Sequence, residues 1–106
     1  VIEINNEVAG VIHLKEIKEH KAEIGYWIAE KYWGQGIGSE ATNLLTEYAF
    51  NKFKLKRVYA KIFINNISST KAVEKAGFEY EGILRKDVNK KGKLVDIILY
   101  SKIKAE

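Results

Sequence analysis

The run Trp33-Gly34-Gln35-Gly36-Ile37-Gly38-Ser39-Glu40-Ala41 sets three glycines at alternate positions ahead of an amphipathic segment. A turn of this kind bares several backbone N–H groups where a helix begins and no intrahelical acceptor exists for them. Glycine lets the main chain fold tightly around a bulky anion, and the helix dipole adds roughly 0.3–1 kcal/mol for each well-placed negative charge. The chemistry predicted is the binding of a phosphate-bearing ligand.

The flanking residues supply the elements that such a turn needs. Ala22 to Ala29 alternates, with Ile24, Tyr26 and Ile28 on one face and Glu23, Gly25, Trp27 and Ala29 on the other, which predicts a strand. Beyond the turn, Ile37, Ala41, Leu44, Leu45, Tyr48 and Phe53 recur near a 3.6-residue period, with Glu40, Asn43 and Glu47 opposite. This predicts a helix whose buried stripe is that apolar set.

Three phosphate-binding arrangements share the pattern strand, glycine turn, helix. A P-loop closes with Gly-Lys-Ser or Gly-Lys-Thr, whereas here Gly38 precedes Ser39 and Glu40, so no lysine reaches a terminal phosphate. A dinucleotide fingerprint fits Gly36-x-Gly38-x-x-Ala41 in its looser form but needs an acidic residue at the end of the next strand. That strand, Arg57 to Ile64, ends in Asn65 and Asn66, and 106 residues are few for a doubly wound domain. This reading stays a distant second.

The third arrangement is an acyl-CoA turn, and the residues quoted resemble the Gcn5-related N-acetyltransferases (GNAT), especially their RimJ/RimL-like branch. Glu23-Ile24-Gly25-Tyr26-Trp27-Ile28 resembles that branch's strand before the cofactor turn, and Tyr32 to Ala41 resembles the turn itself. Asn66-Ile67-Ser68-Ser69, followed by Glu74-Lys75-Ala76-Gly77-Phe78, resembles its next motif, an Asn-x-x-Ser turn opening a short helix that ends at Gly-Phe. Glu81-Gly82-Ile83-Leu84-Arg85, a Lys/Gly-rich hairpin and Asp96 to Tyr100 are similar to its closing two strands.

The resemblance implies acetyl-CoA as co-substrate and direct aminolysis of its thioester by a primary amine, a protein N-terminus or a small amine. It implies that the pantetheine arm lies between two splayed central strands and pairs with main-chain groups near Ile28 and Ala29. The N–H groups of Gln35, Gly36, Ile37, Gly38 and Ser39 would hold the pyrophosphate, and Asn66 would reach the cofactor near its thiol end. Ser69 would give or relay a proton to the leaving thiolate. Glu23 is the candidate for orienting the amine or accepting its proton through water, and is equally readable as an ordinary strand glutamate; Asn66 and Ser69 are equally readable as a helix cap.

The chain also departs from the family. Trp33 stands where the wider superfamily has Gln or Arg, and the helix tyrosine that serves many members as general acid is absent, Ala72 and Val73 standing there. The family usually opens with a strand and two helices that wall the acceptor site, whereas this chain opens in strand-like Val1-Ile2-Glu3-Ile4 and contains no methionine. A fragment, a processed chain or a trimmed one is expected. A non-catalytic CoA-binding module is therefore a rival reading.

Composition narrows the classes. With 46% hydrophobic and 30% charged residues the chain predicts one globular domain over residues 1–106, cytoplasmic, without a signal peptide. No apolar run approaches the roughly 20 residues of a membrane span. Zero cysteines exclude disulfides and thiolate chemistry, and His13 and His20 stand apart from any carboxylate pattern, so no metal is expected. The net charge of +4 gathers at Lys52, Lys54, Lys56 and Arg57, and at Lys86, Lys90, Lys91 and Lys93. A basic nucleic-acid-binding domain is the rival this raises, but no aromatic-and-basic motif accompanies the charge, and a solvated lysine surface accounts for it. A homodimer is left open.

The expected strands are Val1–Ile4, Val8–Leu14, Ala22–Ala29, Arg57–Ile64, Phe78–Arg85 and Leu94–Ile103, with helices Gly38–Phe53 and Ser69–Ala76. Turns are expected at Asn5-Asn6 and Lys91-Gly92, and a helix stop at Gly77. The fold class this predicts is a mixed α/β sheet with helices on its faces.

Overall fold

The computed structural model describes residues 1–105 and contains a six-stranded sheet with two helices. The strands are β1 (Ile2–Ile4), β2 (Glu7–Lys18), β3 (Lys21–Ile28), β4 (Arg57–Phe63), β5 (Glu79–Lys90) and β6 (Lys93–Ile103). The helices are α1 (Ile37–Lys52), between β3 and β4, and α2 (Ile67–Lys75), between β4 and β5. The sheet order is β1-β2-β3-β4-β6-β5, and only β3 and β4 run parallel. The mixed α/β class expected from the sequence is the class observed.

Local chemistry explains the boundaries. Asn5 and Asn6 both take positive φ, as do Lys91 and Gly92, giving the two tight hairpins the backbone twist that paired strands favour. At the end of α2, Gly77 has φ +91°; its N–H donates to the Glu74 carbonyl and that of Phe78 to the Val73 carbonyl. This double bond pattern satisfies carbonyls that the helix leaves orphaned. Strands β2 and β5 run longer than their apolar alternation indicates, because bulges with Glu16 and Lys86 in the left-handed region let pairing resume beyond an irregularity. The Asp96 carboxylate pins the second bulge by accepting the Lys86 N–H at 2.8 Å.

Both helices pack on one face of the sheet. Ala22 and Ile24 of β3, Val58, Ala60 and Ile62 of β4 and Tyr100 of β6 meet Ala49 and Phe50 of α1 and Val73 of α2 in the main core. The α1 stripe differs from the one expected. Buried here are Ser39, Thr42, Thr46, Ala49 and Phe50, while Leu44 is 64% and Tyr48 51% exposed. Small side chains let the helix backbone approach the sheet closely, and that contact outweighs the larger apolar set on the outer flank. The hydroxyls of Thr42 and Thr46 are buried with no hydrogen-bond partner.

The central pair of strands opens the sheet. Strands β3 and β4 are in register only at Lys21↔Arg57, Ala22↔Val58 and Glu23↔Tyr59. Past that point β3 stays with β2 as far as Ile28 and β4 stays with β6 as far as Phe63. The sheet therefore splits, and backbone groups along the inner edges lose their strand partners.

Candidate functional site

The glycine turn sits at the mouth of this split. A short 3-10 turn at Glu30–Tyr32 follows β3, and Glu7 at the start of β2 anchors it: its carboxylate accepts from the Tyr32 hydroxyl at 2.7 Å and from the Lys31 ammonium at 2.9 Å. The Lys31 bond first and the Tyr32 bond second hold the Glu7 carboxyl below its ordinary pKa. Gln35 donates its side-chain amide to the Lys31 carbonyl. Gly36 then takes φ +76° as the N-cap of α1. No side chain caps this end, so the amides of Ile37, Gly38 and Ser39 face outward without an intrahelical acceptor. The Ser39 hydroxyl is turned back to the Gly36 carbonyl, leaving the turn to present main chain.

A cavity of about 730 Å³ opens from this turn into the split. Ile28, Gly36, Ile37, Gly38, Ser39, Asn66 and Ser69 of the expected site all line it. Its charged lining is Lys71, Lys75 and Lys90, with no carboxylate among the lining residues. Such a wall suits a polyanion.

Asn66 caps α2: its Oδ1 accepts the Ser69 N–H at 3.2 Å and the Ser68 hydroxyl at 3.3 Å. The cap uses the Ser69 main chain and leaves the Ser69 hydroxyl available to the cavity. Beside that hydroxyl stands Tyr26, which in the sequence reads only as part of an apolar strand face. Burial raises the Tyr26 phenol pKa, and the neighbouring Ser69 side chain opposes the rise. The helix lacks the tyrosine common in the superfamily, yet the cavity holds one from β3. The alternation carries a signal for it, since Tyr26 shares a face with Ile24 and Ile28 and that face meets the helices.

Two main-chain groups expected to meet the cofactor arm already have partners within the chain. The Ala29 N–H donates to the Ala9 carbonyl at 2.7 Å, and the Ile28 carbonyl accepts the Trp33 indole N–H at 2.7 Å. Ala29 does not line the cavity. Trp27 and Trp33 are 61% and 58% exposed.

Glu23 lies on the opposite face of β3 from Tyr26 and outside the cavity. It is the last β3 residue in register with β4, so it marks the root of the split, and Lys15 stands 3.6 Å from its carboxylate. Only 10% of its side chain is accessible. Asp96 and Tyr100 serve structure: Asp96 holds the β5 bulge, and Tyr100 donates to Glu74 at 2.7 Å, which with burial pushes its phenol pKa up to about 12. Among the described residues no cluster of His, Cys, Asp and Glu is arranged to hold a metal, and no helix is long and apolar enough to cross a membrane.

Known proteins share this fold. The family model for the acetyltransferase (GNAT) domain matches residues 1–79. The uncharacterized N-acetyltransferase p20 of Bacillus licheniformis is 34% identical over 108 residues, covering 100% of this chain and 61% of its own. RimJ of Mycobacterium smegmatis, solved with CoA-disulfide, superposes with a TM-score of 0.90 at 26% identity, over 95% of this chain and 50% of its own. RimL, a ribosomal L7/L12 alpha-N-protein acetyltransferase solved with coenzyme A, gives 0.85 at 29% identity, over 92% and 56%. This chain thus spans about half to three-fifths of the length of these relatives. With the family match running from the opening strand past the second helix, and with neighbours of this kind, the chain belongs to the GNAT acetyltransferase family, in its RimJ/RimL-like branch.

Proposed function

We propose that the protein transfers an acetyl group from acetyl-CoA to a primary amine, and that the amine is a protein N-terminus. The observation that carries this reading is the cavity itself: unpartnered amides and lysines at one end, a split sheet at the other, and no carboxylate in its lining. Residues 1–106 act on this reading as one unit, the core and C-terminal part of a GNAT domain. The site of action is the cytoplasm.

The steps follow from where the groups stand. The amides of Ile37, Gly38 and Ser39 receive the diphosphate, and the pantetheine arm runs into the split past Ile28 and Asn66. That brings the thioester toward Ser69 on the helix face of the sheet, while Glu23 stands at the root of the split on the other face. The amine enters from the Glu23 side, its lone pair attacks the thioester carbonyl carbon, and the carbon–sulfur bond breaks. Ser69 passes its hydroxyl proton to the departing thiolate and regains one from water, a task that contributes about 10²–10⁴-fold, and positioning contributes at least as much. The proton lost by the amine passes to Glu23 through water.

Magnitudes favour an N-terminal acceptor. An α-amino group of pKa about 7.7–8.0 costs roughly 1–1.4 kcal/mol to deprotonate at pH 7, whereas a lysine near 10.4 costs almost 5. An N-terminal amine therefore needs no strong base, and Glu23 at the root of the split accepts its proton through water. The test is thiol release from acetyl-CoA across a panel of peptides with free N-termini, N-terminally blocked lysine peptides and polyamines. Turnover confined to free N-termini is expected. Affinity for CoA without turnover on any amine would replace this reading with that of a binding module.

A further inference from the structure

Lys71 and Lys75 sit one helical turn apart on α2, on the side that lines the cavity. The Lys75 Nζ lies 3.6 Å from where a Cβ on Gly36 would stand, so the ammonium hangs directly over the glycine turn. Five other cations, Lys15, Lys31, Arg57, Lys61 and Lys102, each pair with a carboxylate. Among the described residues Lys71 and Lys75 pair with none. Lys90, the third cavity lysine, is engaged 4.6 Å over the Phe63 ring.

The chain thus aims an unpaired ammonium and the positive end of α1 at the same small volume. Like charges facing one another at this range repel, and an anion placed between them converts both interactions to attraction. A hydrogen-bonding ammonium would also supply what amides alone do not, a full opposing charge for a doubly charged group.

We propose that Lys75 is a diphosphate-binding residue, its ammonium closing from the α2 side the site whose other wall is the amides of the glycine turn, with Lys71 adding charge one turn back. This rests on the acetyl-CoA reading above and assigns to the side chain of α2 a role in cofactor affinity distinct from that of the turn. The 3′-phosphate of the adenosine is the competing target for such a lysine. The position over Gly36 favours the diphosphate.

Calorimetric titration of the protein with CoA and with dephospho-CoA, which lacks the 3′-phosphate, decides the matter. Lys75→Ala is expected to raise Kd for both ligands by the same factor, about tenfold, at the lower end of what a hydrogen bond to a charged group supplies. Lys75→Arg keeps most of the affinity. Lys52→Ala, which removes the same charge from the far end of α1, leaves both Kd values within twofold. A loss for CoA alone would put Lys75 on the 3′-phosphate and overturn the assignment, as would unchanged affinity in Lys75→Ala or an equal loss in Lys52→Ala. Failure of the unaltered protein to bind CoA at all would bring down the acetyltransferase reading as well, so the two failures are told apart.

Discussion

Arg57 on β4 and Glu81 on β5 join across the strand that lies between them. The guanidinium donates to both carboxylate oxygens at 2.8 Å, and Ser101 of the intervening β6 donates its hydroxyl to the same carboxylate. Three strands are thereby clasped near the closed end of the split, where β4 is still in register with β3 at Arg57. A sheet that parts in its middle needs its remaining strands held in register.

This clasp predicts an acid-sensitive stability. The Arg57 bonds first and the Ser101 bond second lower the Glu81 pKa from 4.5 to about 2. Because the folded value lies below the unfolded one, the stabilisation is present above pH 4.5 and is lost as pH falls toward 2. The side chains are 22% and 34% accessible, and solvent screening holds the contribution to about 1 kcal/mol. Thermal unfolding between pH 2 and 7, a range spanning both values, should show Glu81→Gln about 4–8 °C less stable at neutral pH and less pH-dependent in the acid limb. Parallel curves for the two proteins would show that the clasp contributes nothing.

On the mechanism proposed above, Asn66 and Ser69 separate stability from catalysis. The cap joins the Asn66 side chain to the Ser69 main chain. Asn66→Ala should therefore lose roughly 0.5–2 kcal/mol of stability. Ser69→Ala should keep the melting temperature and lose about 10²–10⁴-fold in acetyl transfer at unchanged CoA affinity. Equal melting losses in the two variants, with no kinetic difference, would make Ser69 structural only.

Thr42 and Thr46 carry hydroxyls that are fully buried and unpaired. Leaving a buried polar group unsatisfied costs about 1–3 kcal/mol, and valine keeps the branched shape while removing that group. Thr42→Val is expected to raise the denaturation midpoint, by roughly 4–8 °C for each kcal/mol gained. A lower midpoint would mean that the hydroxyl is satisfied in solution.

On the proposed cofactor reading, Gly36 and Gly38 are required for different reasons. Gly36 sits at φ +76°, so Gly36→Ala should cost about 1 kcal/mol from the left-handed backbone alone. A Cβ on Gly38 meets Tyr26 Cε2 at 3.4 Å and Ala72 Cβ at 3.5 Å, so the rest of a leucine must fill the cavity. Gly38→Leu should weaken CoA binding at least tenfold, or about 1.4 kcal/mol, as read by calorimetry. Unaltered affinity would place the diphosphate elsewhere.

What is legible in the residues alone divides from the rest along a physical line. The glycine turn, the Asn66 cap, the Gly77 stop and the Asn5-Asn6 and Lys91-Gly92 hairpins are written in neighbouring residues, because φ preference and capping are settled within a few positions. The face that α1 buries is not the one its apolar period indicates: Leu44 and Tyr48 carry the stronger period, but Thr42, Thr46 and Ala49 are small enough for the helix to lie close on the sheet. Strand alternation puts Tyr26 correctly on the helix side without revealing that α2 sets Ser69 beside it.

Local spacing along the chain is enough to specify the glycine turn, the succession of strands and helices and the branch of the family, since each rests on residues a few positions apart. Folding alone parts β3 from β4 after Glu23, sets Glu23 and Ser69 on opposite faces of the sheet, and hangs Lys75 over Gly36. These relations join residues far apart along the chain and are fixed by how α1 and α2 seat on the sheet, and no periodicity along a chain encodes a distance across it.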